Sequence, residues 1–243
     1  MSAAEIVIPP KGRVSRYLQE IGRDLSFMNK DGGHVVRDYW RNAAVIFFSV
    51  LALALLLLPN EMTLLHWMQG DKSGVLYFAA KQISRWGDFH TGTLMFAVSF
   101  WLIGMGCRKR HWRRAALACL LSASLAGISA DFFRYGLGRA RPNSGVADGF
   151  YGFTTSAKFH GFPSGHTSTA FGSAVPLAVI FPEAAIPAIA VAATVGWSRL
   201  YVNYHRPTDV LVGASVGTLF GIAVGLAVRR RSRSDKSSDP ALA

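Results

Sequence analysis

NAAVIFFSVLALALLLLPN, residues 42–60, runs for nineteen positions without an Asp, Glu, Lys or Arg. A bilayer's hydrocarbon core is about 30 Å thick and needs roughly 20 apolar residues of helix to cross it, so this stretch reads as a membrane span. In lipid, every backbone N–H and C=O must be paired internally, which a helix does within one segment. Working outward, further apolar runs extend over His90–Cys107, Ala115–Ser129, His166–Pro182, Ala184–Gly196 and Val210–Val228. Together they predict an all-α polytopic membrane protein of six transmembrane helices, with the fifth the shortest. Composition agrees: at 51% hydrophobic and 16% charged residues, the chain is too apolar for an ordinary soluble domain.

Basic residues set the expected orientation. Lys11, Arg13, Arg16, Arg23, Lys30, Arg37 and Arg41 precede the first span, Arg108, Lys109, Arg110, Arg113 and Arg114 lie between the second and third, and Arg229, Arg230, Arg231, Arg233 and Lys236 follow the sixth. With six spans all three groups fall on one side, so the positive-inside bias places both termini in the cytoplasm. The chain then divides into a cytoplasmic N-terminal segment (1–42), a six-helix membrane domain (43–228) and a basic cytoplasmic tail (229–243). Much of the net charge of +12 serves topology and attraction to anionic headgroups; nucleic acid is not an expected partner. A long polar leader without a small-residue cleavage site predicts an uncleaved anchor. Cys107 and Cys119 lie at the end of span two and within span three, giving no disulfide or zinc framework.

Three other segments have a physical reading. Between residues 62 and 86, apolar positions alternate with Lys72, Lys81 and Arg85 and are interrupted by Gly70 and Gly74, which predicts one or two amphipathic helices in the outer interface. The loop at 143–162 is rich in Phe and Tyr among Gly and Ser, fitting an aromatic belt or a rim for lipid entry. Gly213, Gly217, Gly221 and Gly225 lie on one face of span six and predict close helix packing, within one chain or between chains, so oligomeric state stays open.

Polar groups beside these spans are the candidate site, because charge at the edge of an apolar segment is costly. Arg134, Arg141, Ser164, Gly165, His166, Arg199, His205 and Asp209 all fall at span ends on the outer face, with 134–166 forming the main outer loop. Arginine forks match phosphoryl oxygens and keep their charge when partly buried. The N–H groups of Gly165 and His166 open a helix, a ready anion site, and Ser164 adds a hydroxyl. His205 and Asp209 are four residues apart, near enough for the carboxylate to accept from one ring nitrogen and leave the other to attack phosphorus. His166 then serves as acid and base. Asp131 stands one turn before Arg134 as a supporting ion-pair partner, and Asp88 and His90 reach either the same pocket or only the interface. The outer acids Glu61, Asp71, Asp88, Asp131, Asp148 and Asp209 have no two-metal spacing, so neither metal nor other cofactor is expected.

The segment Arg134-Tyr-Gly-Leu-Gly-Arg-Ala-Arg141-Pro142, the turn Pro163-Ser164-Gly165-His166, and Ser198-Arg199 followed by His205 and Asp209 resemble the three-part signature of the type 2 phosphatidic acid phosphatase family, which shares its site with the vanadium haloperoxidases. The resemblance implies a phosphohistidine on His205 oriented by Asp209, with His166 as acid and base. It also implies phosphate binding by Arg134, Arg141, Ser164, Gly165 and Arg199. The family's first motif usually opens with Lys, where Arg134 stands here. Arg206 follows His205 where an aromatic residue is frequent, and is expected at headgroups or at a second phosphate.

The expected function is a membrane phosphatase acting on a phosphomonoester or pyrophosphate lipid. Phosphatidic acid, phosphatidylglycerol phosphate, polyprenyl pyrophosphate and lipid A phosphates are the candidates, at the outer face of a bacterial inner membrane. The alternative is a lipid-phosphate binding or transport protein that uses the cationic site without turnover; for it the catalytic imidazoles have no purpose.

Overall fold

A computed structural model describes residues 13–70 and 72–238. Lys11, Asp71, residues 1–12 and residues 239–243 lie outside them. The described residues form α1 (Arg13–Leu57), α2 (Glu61–Met68), α3 (Val75–Trp86), α4 (Leu94–Gly106), α5 (Arg110–Leu137), α6 (Gly165–Ile180), α7 (Ala185–Tyr201) and α8 (Pro207–Ser238), joined by short 3-10 turns and, at Phe89–Thr93, a π-helical turn. No strand occurs among them, only an isolated bridge between Arg139 and Phe150.

Five stretches among the described residues are long and apolar enough to cross a membrane: Ser15–Met68, Phe89–Gly106, Arg110–Leu137, Pro182–Tyr201 and Pro207–Ser232. The fourth expected span is the exception. Its helix, α6, has 16 residues, which at 1.5 Å per residue is about 24 Å. The expected run continued to Pro182, but Phe181 is extended (φ −123°, ψ 88°) because the ring of the next residue disfavours the helical conformation. The expected fifth span gains what the fourth loses: its stretch covers 20 residues, so it is not the shortest.

α6 sits between α5 and α8, with α7 on its third side. Small residues allow this. Ala116, Cys119, Ala123, Ala126 and Ala130 of α5 are buried, and the α8 glycines all face α6. A Cβ at Gly213 would lie 2.6 Å from the Ser164 carbonyl oxygen. The stripe therefore packs inside this chain, with Val175 and Val179 opposite Gly221 and Gly225.

Ion pairs mark the two ends of the bundle. Near the start of α5, Arg110 and Arg113 pair with Glu20, and Arg110 and Arg114 with Asp24; Arg230 of α8 pairs with Asp38. Arg110, Arg113, Arg114 and Arg230, drawn from two of the three expected basic groups, are thereby tied to α1. α5 is 28 residues long, so its other end, with Arg134, is roughly 40 Å away. The expected amphipathic segment is two helices, α2 and α3, resting against α7. Cys107 and Cys119 are both free.

Candidate active site

The far end of the bundle gathers residues from α2, α3, α5, α6, α7 and α8. α5 closes on Gly138, a left-handed C-cap (φ 58°), and the chain then enters the 139–164 loop. α6 begins at Gly165 after Ser164, whose side chain makes no capping bond to the first turn. Its leading N–H groups have no intrahelical acceptor and remain available to an anion. Ser164 is fully buried, its N–H donates to the Asp209 carbonyl (2.9 Å) and its hydroxyl accepts from Thr167 (2.9 Å). The space that a Cβ on Gly165 would need holds the Arg134 guanidinium, 2.6 Å from the ideal position. Glycine here lets a cation lie on the helix start.

His205 is fully buried in the turn between α7 and α8. Its Nδ1 lies 2.7 Å from the carbonyl oxygen of Gly161. A carbonyl can only accept, so Nδ1 carries the proton and Nε2 keeps its lone pair. The expected bond to Asp209 is absent: the nearer carboxylate oxygen is 3.7 Å from Nδ1, beyond hydrogen-bond range. Asp209 is occupied elsewhere. It is the third residue of α8 and its Oδ2 accepts from the Arg206 N–H (2.8 Å), as a capping-box carboxylate does. Its Oδ1 accepts from Arg139 (2.7 Å). Burial, then the positive charge of Arg199 and Arg141, holds the His205 pKa well below its usual 6.5, keeping the ring neutral.

Arg139 and Glu61 have no role in the sequence reading and are central here. Both are 2% exposed. Arg139 bonds Thr208 (2.8 Å), Asp209 and Glu61, and Thr208 donates to Glu61. Asp209, Glu61 and Asp148 keep the Arg139 guanidinium firmly charged against the opposing effect of burial. Arg206 completes this lattice. It is 2% exposed, pairs with Asp148 (2.9 Å) and donates to the Ala140 carbonyl (2.6 Å). Headgroups and a second phosphate, the two expected contacts of Arg206, are both out of its reach. A sequence clue to the lattice existed: Glu61 directly follows the nineteen-residue uncharged run at 42–60, where a carboxylate needs a partner.

The other three arginines are held but not saturated. Arg134 pairs with Asp131, as expected, yet its Nε is buried without a partner. Arg199 donates to Ser84, lies 4.6 Å from the Tyr204 ring centre, and also has a buried, unpaired Nε. Among the described residues, Arg141 donates only to the His160 carbonyl, at 3.3 Å. Burial and the neighbouring Arg134 charge lower the Arg141 pKa, a mutual repulsion that an anion would relieve. His166 is partly exposed, with Asp88 Oδ1 3.5 Å from its Nε2. Burial raises the Asp88 pKa, but His166 and the N–H groups of His90 and Phe89 outweigh it and keep Asp88 ionised. Asp88 thus reaches the pocket, while His90 is mainly solvent-facing.

Two cavities adjoin this cluster. One, about 470 Å³, is lined by His166 and Arg199 together with Phe78, Lys81, Gln82 and Arg85 of α3. The second, about 740 Å³, is apolar and runs between α3, α4, α6 and α7, with Ile83, Trp86, Phe96, Ala170, Leu177 and Val191 on its walls. Phe96 and Val191 are 43% and 66% exposed, so this groove opens sideways along the spans.

A family model described as the PAP2 superfamily matches residues 115–233, a range that takes in every histidine and arginine of the cluster. Through these residues, just under half of the chain, the protein is similar to the PAP2 superfamily. Among curated relatives, it is 32% identical over 108 residues to the lipid A 1-phosphatase of Rhizobium etli, covering 43% of this chain and 47% of that protein. It is 31% identical over 147 residues to the lipid A 1-phosphatase of Porphyromonas gingivalis, covering 56% of this chain and 30% of that protein. The matches thus span less than half of either relative. In fold, the chain is similar to the PAP2-type phosphatidylglycerolphosphate phosphatase of Bacillus subtilis, with a TM-score of 0.56 and 22% identity over 75% of this chain and 93% of that one.

Proposed function

We propose that the protein is a membrane lipid phosphatase that hydrolyses a phosphomonoester or pyrophosphate headgroup through a phosphohistidine on His205. The observation that carries this reading is the state of His205: a buried neutral ring with Nδ1 committed to the Gly161 carbonyl, beside guanidiniums whose Nε atoms lack partners. A binding site needs the cations. It has no use for an imidazole prepared as a nucleophile.

The chemistry follows from the groups in place. Arg134, Arg141, Arg199 and the first N–H groups of α6 hold the phosphoryl oxygens and meet the charge that builds on them. Nε2 of His205 attacks phosphorus, the P–O bond to the lipid breaks, and His166 gives its proton to the departing oxygen. His166 next takes a proton from water as its oxygen attacks phosphorus, the P–Nε2 bond breaks with its electron pair returning to His205, and inorganic phosphate leaves with His205 neutral again. Asp88 steadies the protonated state of His166. Asp209 acts through position: it fixes the start of α8 and with it the turn that carries His205.

The apolar groove supports a lipid substrate, since an acyl chain fits beside α6 while the headgroup enters the polar cavity. The lipid A phosphatases among the relatives favour a lipid A phosphate over the other candidates. In this reading α6 is the sixth crossing, shortened but shielded inside the bundle, with α2 and α3 lying in the outer interface. The Arg110 end faces the cytoplasm and the His205 end the periplasm of a bacterial inner membrane.

Purified protein in detergent is expected to release phosphate from lipid phosphates without added metal, and His205→Ala to abolish release. Full activity in that variant, or an absolute metal requirement, would overturn the reading.

A further inference from the structure

The polar cavity is larger than one phosphoryl group requires. At about 470 Å³ it falls within the range of sites that enclose whole small molecules. His166 and Arg199 form one wall. α3 contributes further lining, where Lys81 and Arg85, four residues apart and therefore on one helix face, line the same space. Both are exposed. The Lys81 ammonium lies 5.4 Å from the Tyr77 ring centre, and among the described residues no carboxylate pairs with Lys81 or Arg85.

Cations on an interfacial helix ordinarily reach outward to headgroups. The layout of α3 argues for a more specific duty. Its Lys81, Gln82 and Arg85 line the polar cavity, whereas Ile83 and Trp86 line the apolar groove. The helix therefore divides the place for a headgroup from the place for a tail. A lipid whose scissile phosphate lies at Arg199 and His205 directs the rest of its headgroup past Lys81 and Arg85. Arg206, which the sequence offered for a second phosphate, is sealed inside the protein.

We propose that Lys81 and Arg85 form a second anion subsite, which takes a second phosphate or phosphodiester of the lipid headgroup while the first is hydrolysed. This rests on the phosphatase reading above. It predicts selectivity for headgroups with two negative groups over those with one.

The test compares wild type with the double variant Lys81→Gln, Arg85→Gln, as full chains in neutral detergent micelles. The substrates are phosphatidylglycerol phosphate, with a phosphodiester three carbons from its monoester, and phosphatidic acid, with the monoester alone. A general loss of attraction to anionic micelles lowers kcat/KM for both lipids equally. Loss of a subsite lowers the ratio of the two values, here by about tenfold, or ~1.4 kcal/mol. A ratio unchanged within about twofold would overturn the subsite. If wild type hydrolyses neither of these lipids, the ratio cannot be formed, and the phosphatase reading fails if lipid A and a polyprenyl pyrophosphate are also left intact. A binding arm then decides the subsite: propane-1,3-diol bisphosphate should raise the thermal midpoint of wild type more than propyl phosphate does, and the variant should lose that preference. The same preference in both proteins would refute it.

Discussion

Arginines at the two ends of the bundle meet different fates. At the Arg110 end, Arg110, Arg113 and Arg114 all pair with Glu20 or Asp24. At the His205 end, Arg134, Arg141 and Arg199 have one directly paired carboxylate among the described residues, Asp131; Arg134 and Arg199 keep a buried Nε without a hydrogen-bond partner, as does Arg206. Within that same end, Arg139 and Arg206 are matched by Glu61, Asp148 and Asp209. Matched arginines hold helices together. Unmatched ones keep a repulsion that an anion would relieve, as the proposed phosphate site requires.

Removing a matched arginine should have the largest effect on stability. Arg139→Ala leaves Glu61 and Asp209 buried without their cation, and should cost about 3–5 kcal/mol of stability, measured by unfolding in detergent. Removing an unmatched one should spare the fold and disable the reaction: Arg199→Gln is expected to lower kcat by about 10²–10³-fold, with stability changed by less than about 1 kcal/mol. Equal destabilisation by the two substitutions would erase the distinction.

pH gives a smaller effect with a definite sign. The pKa of His205 is depressed in the folded protein, so below about 6.5 the unfolded chain binds the extra proton. The stability that wild type gains from a neutral His205 is complete above that pH. It falls by about 1.4 kcal/mol per pH unit below it, until the folded pKa is reached. Comparing unfolding of wild type and His205→Gln across pH 4–8 should show the two curves converging only on the acid side. The smallest effect belongs to Arg110→Ala. Its side chain is 50% exposed and Asp24 retains Arg114, so both stability, within about 1 kcal/mol, and phosphate release should be nearly unchanged.

What the sequence conveyed follows from cost. Charge beside apolar segments is expensive, so Arg134, Arg141, His166, Arg199, His205 and Asp209 stood out along the chain, and the structure brings them to one end. Partner choice was hidden. Asp209 is close to His205 in sequence but takes Arg139 and a backbone N–H, a competition visible only after folding joins residues 70 positions apart. Gly161 contributes a main-chain carbonyl, which has no side-chain signature. The length of α6 was misread because apolarity continues through Phe181 while backbone geometry does not.

In the proposed mechanism His205 carries the phosphoryl group. Mixing purified protein with a lipid labelled in its terminal phosphate, quenching within one turnover in alkali and mapping the label tests it directly. A label that is stable to alkali, lost in acid and confined to the His205 peptide, and that is missing from His205→Ala, is the predicted result. Turnover by wild type with no label on His205, or label and turnover that persist in the variant, would contradict the account.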